Sequence, residues 1–419
     1  MATPALDETF KREWPRIVAA LARYTGSLDL AEDAVQEAFA RAAEARNREL
    51  LINPAAWITT VAKRIAVDAV RRDALLRERL PLLVAEDRDP EPERAPGGDD
   101  RLGLLFATCT PALDPETRLA LALRFVCGVG TAEIADAMLV SHTAMSARLT
   151  RAKRRIEREG VRFSLPTGAE LRERLGDVLV TVHLLYTIGH TSLAGERITS
   201  APITATAVEL ARALRSLASH DPEAAGLLAL LLLTEARAPG RVGPDGDIRT
   251  LEDADRTRWD ARAIDEGLEL AATALPGGGR FALEAGISGL HSQAATWAAT
   301  DWPAICLLYD RLVERWPSPA AQVARLVARS FLPGGAPAAL AALDEVAGES
   351  PGVARQVTAA RADILRRLGR VAEARAAYVE ARSIERNEAV RFYYGARITE
   401  LAPGGPEEDP SSLRDARPA

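Results

Sequence analysis

The chain has 419 residues, a formal net charge of −6 and 27% charged residues. It is long enough for two or three domains and a sizeable core, and it lacks the overall basic charge of a nucleic-acid coat protein, which leaves only local basic patches open. Aromatic residues are 5%, and Ala, Leu, Arg and Glu dominate, a mix that favours helix over sheet.

The three cysteines, Cys109, Cys127 and Cys306, stand far apart with no CxxC pairing. They read as small buried hydrophobes of a reducing compartment. The N-terminus has no apolar run after a basic start, and the longest apolar run, Ala224 to Leu233, is too short to span a bilayer. A cytoplasmic protein with no membrane segment is expected. No stretch alternates β-branched and polar residues between hairpin turns, so the fold class is predicted as all-α.

In the first block, about residues 10–80, Ile17, Leu21 and Tyr24 recur at helical spacing. The next helix follows in AEDAVQEAF (Ala31 to Phe39), with Val35 and Phe39 on one face. Asp29 is its expected N-cap, and Glu32 and Asp33 suit the positive end of the dipole. A third helix starts at NPAAW, with Asn53 as cap and Pro54 at the first helical position. On it Trp57, Val61 and Ile65 share a face. Lys63, Arg64, Arg71 and Arg72 lie elsewhere, and Asp68 is spaced to pair with Arg64 and Arg72.

Residues 81–100 are acidic and rich in Pro and Gly, the composition of a linker. The second block, residues 101–162, ends in TAEIADAMLVSHTAMSARLTRAKRRIE (Thr131 to Glu157). Thr131 is expected to cap a short helix carrying Ile134 and Ala135. A tight turn follows through Met138–Val140, and Ser141 caps a second helix. Met145, Leu149, Ala152 and Ile156 form that helix's apolar stripe. His142, Thr143, Ser146, Thr150, Lys153 and Arg154 point elsewhere. This is helix-turn-helix spacing, in which the second helix enters the major groove. From Ser141 to Arg162 there are seven Arg/Lys against two Glu, a local basic excess in an acidic chain.

The order of AEDAVQEAF, then NPAAWITTVAKRIAVDAVRR, then an acidic linker and the helix-turn-helix resembles extracytoplasmic-function sigma factors of the sigma-70 family. The first two segments resemble region 2 and the last resembles region 4. The resemblance implies that Asp33, Gln36 and Glu37 face core RNA polymerase. It implies that Trp57, Lys63, Arg64, Asp68, Arg71 and Arg72 line the −10 side of promoter DNA. His142, Thr143, Ser146, Arg148, Arg151, Lys153 and Arg154 then line the −35 side. Opened strands want cations for phosphates and aromatic surfaces for unstacked bases, and Arg148, Arg151 and Arg154 suit phosphates better than bases. The family usually has Arg followed by Asn or Arg where this chain has Lys63-Arg64.

After a break at Leu165–Gly168, residues 168–402 run in helical periodicity, and residues 403–419 read as a disordered tail. Ala374, Tyr378 and Ala381, after Leu368-Gly369 and Ala362, have tetratricopeptide-like spacing. A weaker copy surrounds Trp302 to Pro319. The expected architecture is therefore two small helical sigma domains followed by a helical-hairpin, tetratricopeptide-like domain, a candidate for intramolecular or protein contact. LLYTIGHTSLAG (Leu184 to Gly195) and LEDADRTRWD (Leu251 to Asp260) resemble the sigma-factor group with this extension. In the latter, Asp253, Asp255, Arg256, Arg258, Trp259 and Asp260 are expected to form a buried ion-pair network at a helix start, because no His or Cys ligand accompanies them. That group often has Cys-Cys-His near Cys109, where this chain has Thr108-Cys109-Thr110. No metal or other cofactor is expected.

The alternative is a stand-alone helix-turn-helix regulator with a repeat-containing sensor domain. It leaves the first block without a role. There is no P-loop, GxGxxG after a strand, HExxH or GxSxG, and the five histidines fall in no catalytic arrangement. The chain is expected not to be an enzyme.

Overall fold

The computed structural model describes residues 4–44, 53–79, 100–138, 140–190, 201–241, 243 and 248–402. Among the described residues there are eighteen α-helices and no β-strand. The predicted linker at 81–100 and tail at 403–419 lie outside the described residues, apart from Asp100. The chain divides into two compact units. One runs to His190 and adds the helix Ala201–Leu217, and the other takes the chain from Ala218 onward.

The first unit opens with three helices: α1 (Pro4–Thr25), α2 (Leu28–Glu44) and α3 (Pro54–Arg79). They pack pairwise on one another. Gly26, at φ +70°, ends α1 in the left-handed conformation that glycine adopts without a Cβ penalty. The N-cap of α2 is Ser27 and not Asp29. The Ser27 hydroxyl accepts from the Leu30 N–H at 3.3 Å, and Asp29 already lies inside the first turn. Asn53 caps the third helix as expected, accepting from the Ala56 N–H at 3.1 Å.

The core of this bundle joins Trp14, Ile17, Val18 and Leu21 to Leu28, Val35 and Ala38, and to Ile58, Ala62 and Ala66. Each fully buried Ile, Val or Leu contributes roughly 1.5–3 kcal/mol over an exposed one. The buried stripe of α3 is therefore Ile58–Ala62–Ala66. The expected face of Trp57, Val61 and Ile65 is only half-buried, at the edge of the bundle. Phe39 is also half-buried. Nor does Asp68 form an ion pair with Arg64 or Arg72. All three are exposed, where such a pair has little to gain over hydration.

Four helices follow: α4 (Asp100–Thr108), α5 (Pro115–Leu121), α6 (Thr131–Ala137) and α7 (His142–Arg158). Residues Arg101 to Thr108 of α4 are all buried. Asp114 caps α5, its carboxylate taking the Thr117 N–H at 2.9 Å and the Thr117 hydroxyl at 2.7 Å. Burial raises this carboxyl, but the Thr117 hydrogen bonds outweigh it and hold it below the usual range. The chain leaves α5 through one π-helical turn, Ala122–Val126. The cap of α6 is Gly130 and not Thr131, which is already helical; the Glu133 carboxylate takes the Gly130 N–H at 3.4 Å. Ser141 caps α7 as expected, accepting from the Ala144 N–H at 3.2 Å. The predicted turn at Met138–Val140 includes Leu139, outside the described residues.

The helices α8 (Gly168–His190) and α9 (Ala201–Leu217) pack on each other and on α4 and α5. Arg118 of α5 reaches Asp177 of α8 at 2.7 Å, and its Nε donates to the Thr110 and Leu113 carbonyls at 3.1 and 2.8 Å. Arg101 pairs with Glu209 of α9 at 2.7 Å. The break at Leu165–Gly168 is thus not where packing changes.

The second unit contains α10 (Pro222–Glu235), α11 (Ala261–Ala274), α12 (Arg280–Gln293), α13 (Trp302–Arg315), α14 (Pro319–Arg329), α15 (Gly335–Glu349), α16 (Ala354–Arg367), α17 (Val371–Ile384) and α18 (Glu388–Glu400). Each packs on the next, an array of helix hairpins. The apolar run at Ala224–Leu233 is α10, most of it buried, and among the described residues no helix is long and apolar enough to cross a membrane. The expected buried ion-pair network at 253–260 is not formed. Asp253, Asp255 and Asp260 are exposed. Asp260 caps α11, accepting from the Arg262 and Ala263 N–H groups at 3.0 and 3.1 Å, and Asp255 caps the short turn before it. Arg256 donates to the His291 and Ala294 carbonyls at 2.8 and 2.6 Å and lies over Trp259 at 4.6 Å. Capping orients this helix start, because exposed carboxylates satisfy orphan N–H groups without desolvation. Ala362, Ala374 and Tyr378 are buried in one cluster between α16 and α17, and Ala381 is buried further along α17.

Candidate nucleic-acid interface

Two surfaces of the N-terminal bundle differ in sign. On α2, Asp33, Gln36 and Glu37 are exposed. Glu37 is held by Arg41 at 2.8 Å, and the Gln36 amide donates to Glu32 at 3.3 Å. On α3, Lys63, Arg64, Asp68, Arg71 and Arg72 are exposed, and Trp57 is half-exposed beside them. The helix thus carries exposed cations and a partly accessible indole. This surface can take phosphates and stack a base.

On α7 the predicted apolar stripe of Met145, Leu149, Ala152 and Ile156 is buried, which turns the polar residues outward. His142, Thr143, Arg151 and Arg154 are exposed, and Ser146 is half-buried. Two predicted DNA contacts are engaged within the protein. Arg148 pairs with Glu116 of α5 at 3.1 Å, where Glu116 stays largely exposed. Lys153 reaches across to α2. Its ammonium donates to Glu32 at 3.0 Å and pairs with Asp29. Partial burial lowers its affinity for a proton, but the Asp29 and Glu32 partners outweigh that and raise its pKa above the ordinary lysine value.

Sequence reasoning missed the residues that meet Lys153. Glu32, only 9% exposed, also accepts from Arg124 Nη2 at 2.7 Å and Nε at 3.2 Å. The π-helical turn that carries Arg124 also presents Phe125. The Arg124 guanidinium lies 4.6 Å from the centre of the fully buried Trp14 ring, and Trp14 stacks on Phe125 at 6.0 Å. Trp14, Glu32, Phe125 and Lys153 span the whole N-terminal region, and no spacing pattern joins them. Glu32 gives one weak signal: it falls among the buried positions Leu28, Ala31 and Val35 of α2.

Cys109 is buried and donates to the Thr181 hydroxyl at 3.2 Å, and burial pushes its thiol up to about 11. It is a packing residue. Among the described residues, no cluster of three or more His, Cys, Asp or Glu is placed to hold a metal ion.

The family described as sigma-70 region 2 matches residues 9–75, and sigma-70 region 4 matches residues 104–156. A family of unknown function, DUF6596, matches residues 174–275, a stretch that holds α8 and α9 of the first unit and α10 and α11 of the second. An uncharacterized protein of Rhizobium meliloti (strain 1021) is 37% identical over 401 residues, covering 93% of this chain and 94% of that protein. The ferric citrate uptake sigma factor FecI of Escherichia coli is 30% identical over 124 residues, 29% of this chain and 71% of its own length. The ECF RNA polymerase sigma factor SigE of Mycolicibacterium smegmatis is 27% identical over 161 residues, 37% of this chain and 61% of its own. No solved structure matches. The region 2 and region 4 matches fall on the α1–α3 bundle and on the helices that end in the helix-turn-helix, in the order of a sigma factor. The chain belongs to the sigma-70 family, a non-enzymatic family, and carries regions 2 and 4 followed by a helical C-terminal extension.

Proposed function

We propose that the chain is an alternative sigma factor of the extracytoplasmic-function type, acting in the cytoplasm. It binds core RNA polymerase and directs initiation at its own promoters. Asp33, Gln36 and Glu37 of α2 face polymerase. Trp57, Lys63, Arg64, Asp68, Arg71 and Arg72 of α3 meet the opened −10 element. His142, Thr143, Ser146, Arg148, Arg151, Lys153 and Arg154 of α7 meet the −35 duplex, Arg148 and Lys153 on leaving their partners within the protein. The observation that carries the reading is the pair of opposed surfaces on one bundle, acidic on α2 and basic-aromatic on α3, beside a capped helix-turn-helix. A stand-alone DNA-binding regulator has no use for the first two.

The test is transcription in vitro with core enzyme on genomic fragments, with the start sites sequenced. Initiation at fragments that core enzyme ignores is expected. Charge reversal at Asp33 and Glu37 weakens polymerase binding with the fold intact. No affinity of the purified chain for core enzyme refutes the assignment.

The extension is proposed as a fused regulator with tetratricopeptide-like helix pairing. The shared burial of Ala362, Ala374 and Tyr378 supports the pairing. Tethering on a short connection gives an effective concentration commonly in the millimolar range. A cut at residue 165 strips α8 and α9 from α4 and α5, so the informative truncation follows Leu217. Equal activity and promoter choice with and without the residues after Leu217 refutes regulation by the array.

A further inference from the structure

The segment Leu251 to Asp260 caps α11 with its last acid and reaches across the second unit with its first two. Thr250 shapes the turn: its hydroxyl donates to the Asp253 carboxylate at 2.8 Å and accepts from the Asp253 N–H at 3.3 Å. Asp253 then pairs with Arg397 of α18 at 3.0 Å, and Glu252 pairs with Arg366 of α16 at 3.4 Å. Both guanidinium groups are also held from their own helices. Arg397 donates to the Tyr393 hydroxyl at 3.2 Å and to Glu400 at 2.9 Å, and it lies 5.2 Å from the Tyr393 ring centre. Arg366 donates to Asp363 at 2.9 Å.

The two sides of this contact differ. The Arg366 and Arg397 side chains are 27% and 19% exposed, whereas Glu252 and Asp253 are 40% and 44% exposed. The cations are partly desolvated and fixed on the array, and the acids are supplied from its surface by a turn. The turn also fills the site poorly. The 3.4 Å from Glu252 to Arg366 is long for a charge-assisted hydrogen bond, which prefers about 2.7–2.9 Å. The Arg366 Nε is enclosed with no acceptor among the described residues, and such a donor costs free energy that a better-placed oxygen recovers. We propose that Arg366 and Arg397, the latter oriented by Tyr393, form an acceptor for two neighbouring carboxylates, that Glu252 and Asp253 occupy it in the free chain, and that an acidic peptide segment of a partner protein displaces them. Each guanidinium takes its own carboxylate and the two stand on different helices, so the ligand is a peptide that spans both. The inference deepens the reading of the extension as a contact domain by naming the chemistry of its partner.

The test uses the full chain and a fluorescein-labelled peptide of residues 249–255, RTLEDAD, followed by anisotropy. Glu252→Gln combined with Asp253→Asn frees the acceptor, and that chain binds the peptide up to about tenfold tighter than the parent, the value of two partly exposed ion pairs. A control peptide with Gln and Asn at the same two positions binds neither chain. Arg397→Gln removes binding in both backgrounds. A second measurement needs no variant: excess peptide speeds amide hydrogen exchange of residues 250–254 in the parent chain and leaves α12 unchanged. Equal affinity of the parent and the double variant, equal binding of the two peptides, or unchanged exchange with the peptide bound overturns the acceptor. None of these readouts involves polymerase or DNA. A chain that binds the peptide but not core enzyme loses the sigma assignment and keeps the acceptor, and a chain that binds core enzyme but not the peptide does the reverse.

Discussion

His291 of α12 is half-buried, with its Nδ1 enclosed and charges nearby that disfavour its protonation. Its Nδ1 has no hydrogen-bond partner, while the Arg237 guanidinium donates to the Ser288 hydroxyl and the Arg256 guanidinium donates to the His291 carbonyl. Burial first, and then Arg237 and Arg256, push its pKa down to about 4. The unfolded chain takes up a proton near 6.5. Between these values the unfolded state binds more protons, so stability is fully present above the unfolded pKa and is lost as pH falls through the folded one. The whole shift corresponds to about 3 kcal/mol, of which about 2 kcal/mol is lost between about pH 7.5 and about pH 5. Urea unfolding at these two pH values reads it. Trp297 stacks on the imidazole at 6.2 Å and Trp302 meets it edge-on at 5.4 Å, so tryptophan fluorescence follows the same site. The variant His291→Gln loses this part of the pH dependence, while the carboxylates continue to contribute theirs. An equal loss of stability on acidification in both proteins refutes the reasoning, as does an imidazole resonance of His291 titrating near the free value.

Arg118→Ala is expected to cost about 2–4 kcal/mol, because it abandons two buried carbonyls as well as an ion pair. Asp177→Asn loses only the half-exposed end of that pair, and about 1 kcal/mol or less; similar costs in denaturant refute this account of how α8 docks. Gly226 of α10 approaches α12 so closely that a Cβ meets the Ala282 nitrogen at 2.5 Å. Gly226→Ala therefore destabilises the second unit by on the order of 3 kcal/mol and leaves the Trp14 environment unchanged, as site-resolved hydrogen exchange will show. Arg151→Ala should flatten the salt dependence of duplex binding by about one phosphate. Arg148→Ala should flatten it less, because Glu116 already holds that guanidinium; equal slopes argue against the pairing persisting on DNA. Changes at Thr143 or Ser146 alter −35 preference instead. Substitution of Arg64 or Trp57 impairs strand opening more than closed-complex formation, read by permanganate footprinting.

The local features of this protein were written in its sequence. The helix-turn-helix was legible because its signals are short-range: Ser141 caps the helix, and Met145, Leu149, Ala152 and Ile156 repeat at 3.6-residue spacing. The pairing of Ala362 with Ala374 and Tyr378 was legible for the same reason. Periodicity identified helices well but ranked faces less well. On α3 the buried stripe is one position along from Trp57, Val61 and Ile65, because alanines at 62 and 66 let the neighbouring helices come close, and volume rather than hydrophobicity chose the face. Ser27 displaced Asp29 as the cap of α2 because its hydroxyl reaches the orphan Leu30 N–H, and α6 starts from Gly130 through backbone geometry, with no capping side chain at that position.

Only the tertiary structure decided what the charged residues do. Lys153 and Arg148 look alike in sequence to Arg151 and Arg154, yet the first two are engaged within the protein and the last two are exposed. Glu32 looks like one more acid near the start of α2, and folding encloses it with Arg124 and Lys153. Charges separated by most of a domain carry no periodic signal. Their pairing follows from how α2, the π-helical turn and α7 are brought together, and from the cost of burying a charge without a partner. The same holds for α8 and α9. Composition places a break before them, and Arg118, Arg101 and the buried face of α4 assign them to the first unit.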